Sequence, residues 1–274
     1  MASEGPERGA SRHEGAEVLS SMNPTGRFSD RVGDYVRFRP GYPSATIDSV
    51  LSGLGATDAL AAADIGAGTG IFARALAERG VQVIAVEPNA EMRAAGARAG
   101  TGSAGGRITW RDGKAEATGL ASASVNLVTC AQAFHWFHVD EALTELARVL
   151  VPGGRLALVW NARDRGDDFT RGYTEAIVAI GGESRVETHA FDPGVVAARR
   201  EFGSECPRLE VARHEQVLDL EGLVGRALSA SYVPRSGPNH ERLMDSLRRL
   251  FERHEAGGVV RMKYRTEAYL ARRV

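Results

Sequence analysis

The sequence is short of several things, and each shortage closes off a class of function. Cysteine occurs only at Cys130 and Cys206, too few and too far apart for a disulfide framework or a thiolate metal site. Cys130 ends an apolar run and reads as a small core residue. No apolar run reaches the roughly 18 residues that a membrane-spanning helix needs. The first residues lack the apolar segment of a secretory signal, so a cytoplasmic location is the expectation. Net charge is nearly absent, at −1, and no long run of either sign occurs. That argues against nucleic acid or an anionic membrane as the main partner. Lysine is confined to Lys114 and Lys263, so the basic residues are almost all arginine, a habit of composition more than a sign of function. No internal repeat is evident, and low complexity is limited to the N-terminal tail and the glycine-rich 100–106. What is present is an ordinary globular composition, 43% hydrophobic over 274 residues, enough for one large α/β domain or two modest ones.

The chain is organised around Asp64-Ile-Gly66-Ala67-Gly68-Thr-Gly70. An apolar run, 59–63, precedes it and a helical segment, 71–79, follows. Strand, glycine turn and helix in that order bring backbone close to a ligand, because glycine accepts positive φ and has no Cβ. Nineteen residues past Gly68 stands Glu87, at the end of a second apolar run, 81–86. An acid at that position is placed to accept hydrogen bonds from a ribose diol. The spacing is not the dinucleotide fingerprint. That pattern needs a small third residue, where this chain has the β-branched Ile71. Asp64, two residues ahead of the first loop glycine, would repel a pyrophosphate and suits a cationic sulfonium.

Around this stretch, strands are expected at 61–65, 82–86, 108–111, 125–130, 155–160, 209–218 and 259–270. Helices are expected at 44–54 with Ser44 as N-cap, 71–79, 88–99, 139–150, 168–180, 195–202, 220–229 and 239–254. Pro152-Gly153-Gly154 is expected to stop the helix at 139–150. Repeated β-α-β units predict an α/β fold: a doubly wound, Rossmann-like, mostly parallel seven-stranded sheet with an antiparallel last strand and a helical lid. Residues 1–24 read as a disordered tail and 25–274 as a single domain. Within it, 25–55 form an N-terminal flap and helix, and about 162–205 and 220–254 are lid insertions. The flap itself, Phe28 to Pro43, alternates aromatics and arginines and reads as poor in regular structure.

Asp64-x-Gly66-x-Gly68-x-Gly70 with Glu87 resembles the first two motifs of the class I S-adenosylmethionine-dependent methyltransferases. Gly113 to Glu116 resembles that family's adenine-side loop, Ser124 to Val128 with Gln132 to Trp136 its fourth strand and following loop, and Arg148 to Gly154 its turn into strand five. Arg39-Pro-Gly-Tyr-Pro43 and Tyr264 to Arg273 are similar to the group that includes trans-aconitate methyltransferases. The likeness covers roughly residues 28 to 273. Lys114 departs from it, since many relatives carry an acid there that bonds the adenine amino group.

The resemblance implies S-adenosyl-L-methionine as cofactor. Gly66, Ala67, Gly68 and Gly70 would approach its methionine part, with Asp64 near the amino group and Glu87, followed by Pro88, on the ribose. Met92, either a packing residue or an adenine contact, would meet Ala115 and Glu116 at the adenine edge. Gln132 and Ala133 would touch the cofactor, Arg39 would reach its carboxylate, and Tyr35 would close over it. Methyl transfer is an in-line displacement, so alignment supplies most of the catalysis, and a base matters only when the acceptor has a proton to lose. His135, at the carboxyl end of strand four, is the candidate catalytic base; the alternative is a loop that merely walls the cofactor. Trp136, Trp160 and Tyr232 are candidate substrate contacts, the tryptophans being alternatively core. No metal is implied. The expected function is O-methylation of a carboxylate or hydroxyl on a small molecule. The competing readings are C- or N-methylation of a natural-product-type metabolite, an NAD-dependent oxidoreductase, and a cofactor-binding protein without catalysis. The oligomeric state stays open.

Overall fold

The computed structural model describes residues 32–100, 104–181 and 191–274. The expected tail over 1–24 and the start of the flap lie outside the described residues. Seven strands form one sheet: β1 (Ala61–Ile65), β2 (Gln82–Val86), β3 (Ile108–Arg111), β4 (Val125–Ala131), β5 (Leu150–Arg163), β6 (Arg208–Leu218) and β7 (Val260–Arg272). Their order is β3-β2-β1-β4-β5-β7-β6. β3 through β5 pair parallel, β7 runs antiparallel to β5, and β6 is an edge strand antiparallel to β7. The expected architecture is therefore the observed one. Its parallel strands are apolar on both faces because helices cover both. In β1, Ala63 and Ile65 enter one core with Leu143, Leu146 and Leu158, while Ala62 enters the other with Phe72, Leu76 and Val83.

The helices are α1 (Val32–Phe38), α2 (Ser44–Leu51), α3 (Ile71–Ala77), α4 (Ala90–Ala99), α5 (Val139–Val149), α6 (Asp168–Gly181), α7 (Gly194–Ala197), α8 (Leu220–Leu228) and α9 (Pro238–His254). A third apolar cluster joins α6, α8 and α9 to the start of β7, through Tyr173, Leu223, Leu247 and Tyr264. Cys130 is a core residue with no exposure.

Several expectations need correction. The flap is not irregular: Val32–Phe38 is helical, although it buries no residue fully. Its half-buried aromatics alternate with arginines, so periodicity was masked. Pro43, not Ser44, caps α2, and no side chain closes that cap. α4 begins at Ala90 rather than Pro88, because the Asn89 side chain accepts the Met92 N–H and sets the cap. Pro152-Gly153-Gly154 does not separate helix from strand. α5 ends at Val149 and β5 starts at once, carrying the triplet as a register shift against Val125 and Leu127, with Gly153 at φ 78°. The helix expected over 195–202 divides into α7 and a 3-10 turn at Arg200–Phe202.

Candidate active site

Strand order reverses between β1 and β4, and the crevice at their carboxyl ends is where an open α/β sheet places a ligand. The glycine loop leaves β1 there. Gly66 and Ala67 both donate backbone N–H groups to the Val86 carbonyl, at 2.9 and 3.1 Å, which ties the loop to the end of β2. Gly66, Gly68 and Gly70 all have positive φ. Their reasons differ. A Cβ on Gly66 would lie 2.7 Å from the Ala133 Cβ, and one on Gly70 would lie 2.8 Å from the Trp110 ring. Only at Gly68 is the space open, bounded by Met92 Cε at 3.8 Å and the Tyr35 hydroxyl at 3.9 Å. Gly68 thus faces open space, Gly66 lets the loops after β1 and β4 touch, and Gly70 lets β3 pack under the loop.

Glu87 follows β2 and is 8% exposed. Its Oε2 accepts the Gly68 N–H and its Oε1 the Asn89 N–H, each at 2.9 Å. Burial raises its pKa, and the two backbone donors pull the other way. Each oxygen keeps a further lone pair, which is what a ribose diol needs. Asp64 lies deeper, 1% exposed, and accepts a 2.7 Å hydrogen bond from Thr129 Oγ1 across the β1–β4 pair. Burial holds its carboxyl up at about 7, with Thr129 and the backbone of Ala73 opposing and Glu87 assisting. A buried acid in that condition favours a cation beside it.

The loop after β3 supplies Ala115 and Glu116. Ala115 is 3% exposed and its methyl belongs to the core, so only its backbone faces outward. Glu116 Oε1 accepts the His138 N–H at 2.8 Å, which fixes this loop to the start of α5. Pro88 accepts from Arg93 through its carbonyl at 2.8 Å. After β4, Gln132 sits at φ 57°, a left-handed conformation costly for a side-chain-bearing residue, and donates from Nε2 to the Asn161 carbonyl at 3.3 Å. Ala133 is buried against Gly66. His135 and Trp136 follow in a 3-10 turn, both half-buried, with ring centroids 5.1 Å apart. The acidic residues, the glycine loop and Gln132–Ala133 therefore converge on one crevice, and the residues present fit a sulfonium-bearing nucleoside.

A family model described as a methyltransferase domain matches residues 63–158. An uncharacterized methyltransferase of Mycobacterium tuberculosis is 34% identical over 230 residues, covering 84% of this chain and 87% of that protein. This chain is an S-adenosylmethionine-dependent methyltransferase. A methyltransferase-like protein of Schizosaccharomyces pombe is 36% identical over 165 residues, 60% of this chain and 61% of its own. Among solved structures, a type II methyltransferase from Anaeromyxobacter dehalogenans superposes with a TM-score of 0.56 at 22% identity, covering 86% of this chain and 97% of that one, which shows a shared fold.

In this methyltransferase α1 brings the Tyr35 hydroxyl to 3.9 Å from where a Cβ on Gly68 would stand. The Arg39 guanidinium stacks over the Tyr35 ring at 4.7 Å and donates to the Ser229 carbonyl at 3.1 Å. Tyr232 lies in the same neighbourhood, among the groups acting on Arg39 and Arg226. Trp160 does not line the crevice. It is 2% exposed, stacked on Phe191 at 4.9 Å and edge-on to Tyr269, in the core on the α5 face of β5. Sequence reasoning missed Thr129, Asn161, Ser229 and Arg226. For Arg226 a signal existed: it falls three residues after Leu223 and one before Ala227, on the buried stripe of α8.

Proposed function

We propose that this methyltransferase transfers its methyl group to an oxygen, carboxylate or hydroxyl, of a small-molecule acceptor in the cytoplasm, without nucleic acid or membrane as partner. The observation that carries this reading is the roof over the crevice. α1 brings Tyr35 above Gly68, and α8 clamps α1 in place. A Cβ on Gly225 would overlap the Phe38 ring at 2.2 Å, Arg37 pairs with Glu221 at 3.0 Å, and Asp34 pairs with Arg235 at 2.6 Å. A site roofed this closely suits a small acceptor better than a polymer. The flap, α6 and α8–α9 are then the lid of a single domain. The Arg39–Pro43 stretch keeps the trans-aconitate-type group as our placement within the family.

Bound, the cofactor supplies a methyl carbon already activated by its sulfonium. The chain's own residues do the rest. Glu87 holds the ribose, with Met92, Ala115 and Glu116 on the adenine side. Gly68 admits the methionine part, Asp64 faces its ammonium, and Gln132, Ala133 and Tyr35 exclude water. A carboxylate acceptor needs no base. For a hydroxyl acceptor, His135 takes the proton as the oxygen–carbon bond forms. Two measurements test this. Glu87→Ala should weaken S-adenosylhomocysteine binding by about tenfold or more in calorimetry, since hydrogen bonds to a charged group are worth about 1.5–3 kcal/mol each; unchanged affinity would refute the ribose role. Methyl-labelled cofactor incubated with a metabolite panel should label an oxygen, and label on carbon or nitrogen would overturn the O-methyl reading. With a hydroxyl acceptor in hand, an undiminished rate in His135→Ala would remove His135 as base.

A further inference from the structure

On the antiparallel flank of the sheet lies a buried cation that no carboxylate among the described residues neutralises. Arg226 is 7% exposed. Its Nε donates to the Tyr264 hydroxyl at 3.3 Å and its Nη1 to Ser229 Oγ at 3.5 Å, while Nη2 makes no hydrogen bond among the described residues. Ser229 Oγ is itself committed to the Arg226 carbonyl at 2.7 Å. Arg39 reaches the same serine from the other side, through its carbonyl, and its Nε is buried without a partner. Two guanidinium groups therefore converge on Ser229, walled by Tyr35, Tyr173, Tyr232 and Tyr264. Tyr173 stays neutral, because burial pushes its hydroxyl up. The nearby acids are occupied elsewhere: Glu221 with Arg37, Asp34 with Arg235, Asp219 as the cap of α8, and Glu87 with Gly68 and Asn89.

A guanidinium keeps its proton in a protein. Burial and the neighbouring Arg39 oppose its charge, while Tyr264, Tyr173 and Tyr232 favour it and hold the guanidinium charged without a carboxylate opposite. Helix position offsets only part, since the last turn of α8 turns its carbonyl ends toward Arg226. What remains is a standing buried positive charge without a carboxylate opposite it among the described residues, which an incoming anion would meet. The flank is also joined to the crevice by contact. Arg39 stacks on Tyr35, whose hydroxyl lies near Gly68, and Tyr264 stacks on His214, which bonds Thr266; Thr266 in turn donates to Asn161 Oδ1, and the Asn161 carbonyl accepts from Gln132.

Resting on the methyltransferase reading of the crevice, we propose that Arg226 anchors an oxyanion of the acceptor, a carboxylate or phosphate that is not itself the methylated group. An oxyanion held by a guanidinium fork has its lone pairs engaged and is a poor nucleophile. The methyl-receiving oxygen is therefore a different atom of the same molecule, presented at Gly68 and His135. Arg39 is left for the cofactor's carboxylate or as a second donor to the same oxyanion.

The test uses the full chain saturated with S-adenosylhomocysteine and follows binding of acetate, succinate, citrate and inorganic phosphate, with acetamide and succinamide as neutral controls. At least one oxyanion should bind and raise the melting temperature, and the amides should not. Arg226→Gln should weaken that oxyanion by about tenfold or more while S-adenosylhomocysteine affinity stays within about threefold. Arg226→Lys keeps the charge and loses the planar fork, so it should weaken the oxyanion about fivefold with the fold intact. Equal binding of amides, no oxyanion binding, or oxyanion affinity unchanged in either variant overturns the proposal. A parallel loss of S-adenosylhomocysteine also overturns it, by assigning Arg226 to the cofactor's carboxylate. Failure of the wild-type chain to bind S-adenosylhomocysteine at all would instead sink the reading of the crevice, and it is seen before any oxyanion is added.

Discussion

Around β1 and β2 the enclosed ionisable groups are carboxyls, Asp64 and Glu87; on the flank made by β7, α1 and α8 they are guanidiniums, the buried Arg226 and the half-buried Arg39. Asp64, Glu87 and Arg226 are buried, Arg39 is half-buried with its Nε enclosed, and neither pair contains its own counter-ion. The carboxylates sit where a sulfonium, an ammonium and a ribose diol would be welcomed. The guanidiniums sit where an oxyanion would be. The proposal thus gives the molecule two sites of opposite electrostatic demand, and the two are built from different sheet logic. The carboxylates are held by parallel strand ends and backbone donors, the guanidiniums by helices and tyrosine hydroxyls.

The sharpest way to separate the two sides is to damage one alone. In Gly66→Val, the new side chain would meet the Ala133 Cβ at 2.7 Å and the Phe137 ring at 3.2 Å, from a backbone at φ 68°. Left-handed strain and overpacking together cost about 4 kcal/mol. We expect cofactor binding to fall by more than about a hundredfold, by calorimetry, with oxyanion binding on the Arg226 side retained. Loss of both together would show that the two sites are one structural unit.

Asp64 gives the donor side a pH signature. Its folded pKa of about 7 lies above the unfolded value near 4. Between those values the folded chain binds more protons than the unfolded one. Its contribution is therefore fully present below about pH 4 and is lost as pH rises toward 7, on the order of 4 kcal/mol. Denaturant titrations of the cofactor-free chain should show that decline, and Asp64→Asn should flatten it. Because a bound cation favours the ionised acid, cofactor affinity should rise with pH over the same window in wild type and not in Asp64→Asn. A flat wild-type affinity profile would place the cofactor's ammonium away from Asp64.

The same contrast explains what could be read from sequence. The donor side was legible because its chemistry is local: a strand, three glycines at fixed spacing and an acid at the next strand end all follow from short-range patterns. The strands were found for the same reason, the parallel ones from short apolar runs between helices and the edge strand at 209–218 from its apolar–polar alternation. The reasons for individual glycines were not legible. Gly70 is there for Trp110, a residue forty positions away, and no local rule connects them. The acceptor side was hidden because it is assembled from distant pieces. Arg39, Ser229 and Tyr264 meet only through the antiparallel addition of β7 and the return of α8 over α1. Arg226 alone left a trace, as a charge on the apolar face of its helix. Trp160 left both readings open because its position at the end of β5 is right for a ligand contact, and its parity along the strand, which turns it into the core, decides for the second.

The adenine-side loop depends on a clamp that belongs to neither charge pair. Glu145 on α5 accepts from the Thr118 N–H at 3.0 Å and from Thr118 Oγ1 at 2.6 Å, and Arg148 bonds both Glu145 and the Leu120 carbonyl. Arg148 first, with Thr118 assisting, holds the Glu145 carboxyl down at about 2. A depressed acid contributes stability above its unfolded value near 4 and loses it as pH falls toward 2. Glu145→Ala should cost about 2 kcal/mol at neutral pH by leaving the buried Thr118 donors unpaired, and should weaken the acid limb of the stability profile. With the adenine placed at this loop as proposed, cofactor affinity should drop severalfold, with oxyanion binding unmoved. An unchanged cofactor affinity would detach the loop from the donor side.

The smallest effect expected is at Trp160, and it decides where the acceptor side ends. The indole is stacked on Phe191 and edge-on to Tyr269, in a core shared with Leu158 and Phe202. Its neighbour in the strand, Asn161, has the opposite orientation and bonds the Gly41 carbonyl and Thr266. Trp160→Phe keeps an aromatic ring in the stack and removes one ring of volume, a loss of about 1 kcal/mol that denaturant midpoints can read. If the indole is core, acceptor KM and oxyanion affinity stay at their wild-type values once the stability loss is allowed for. A KM that rises severalfold with the fold still intact would mean that the acceptor reaches across β5, and the acceptor side would then extend past the guanidinium pair onto the α5 face of the sheet.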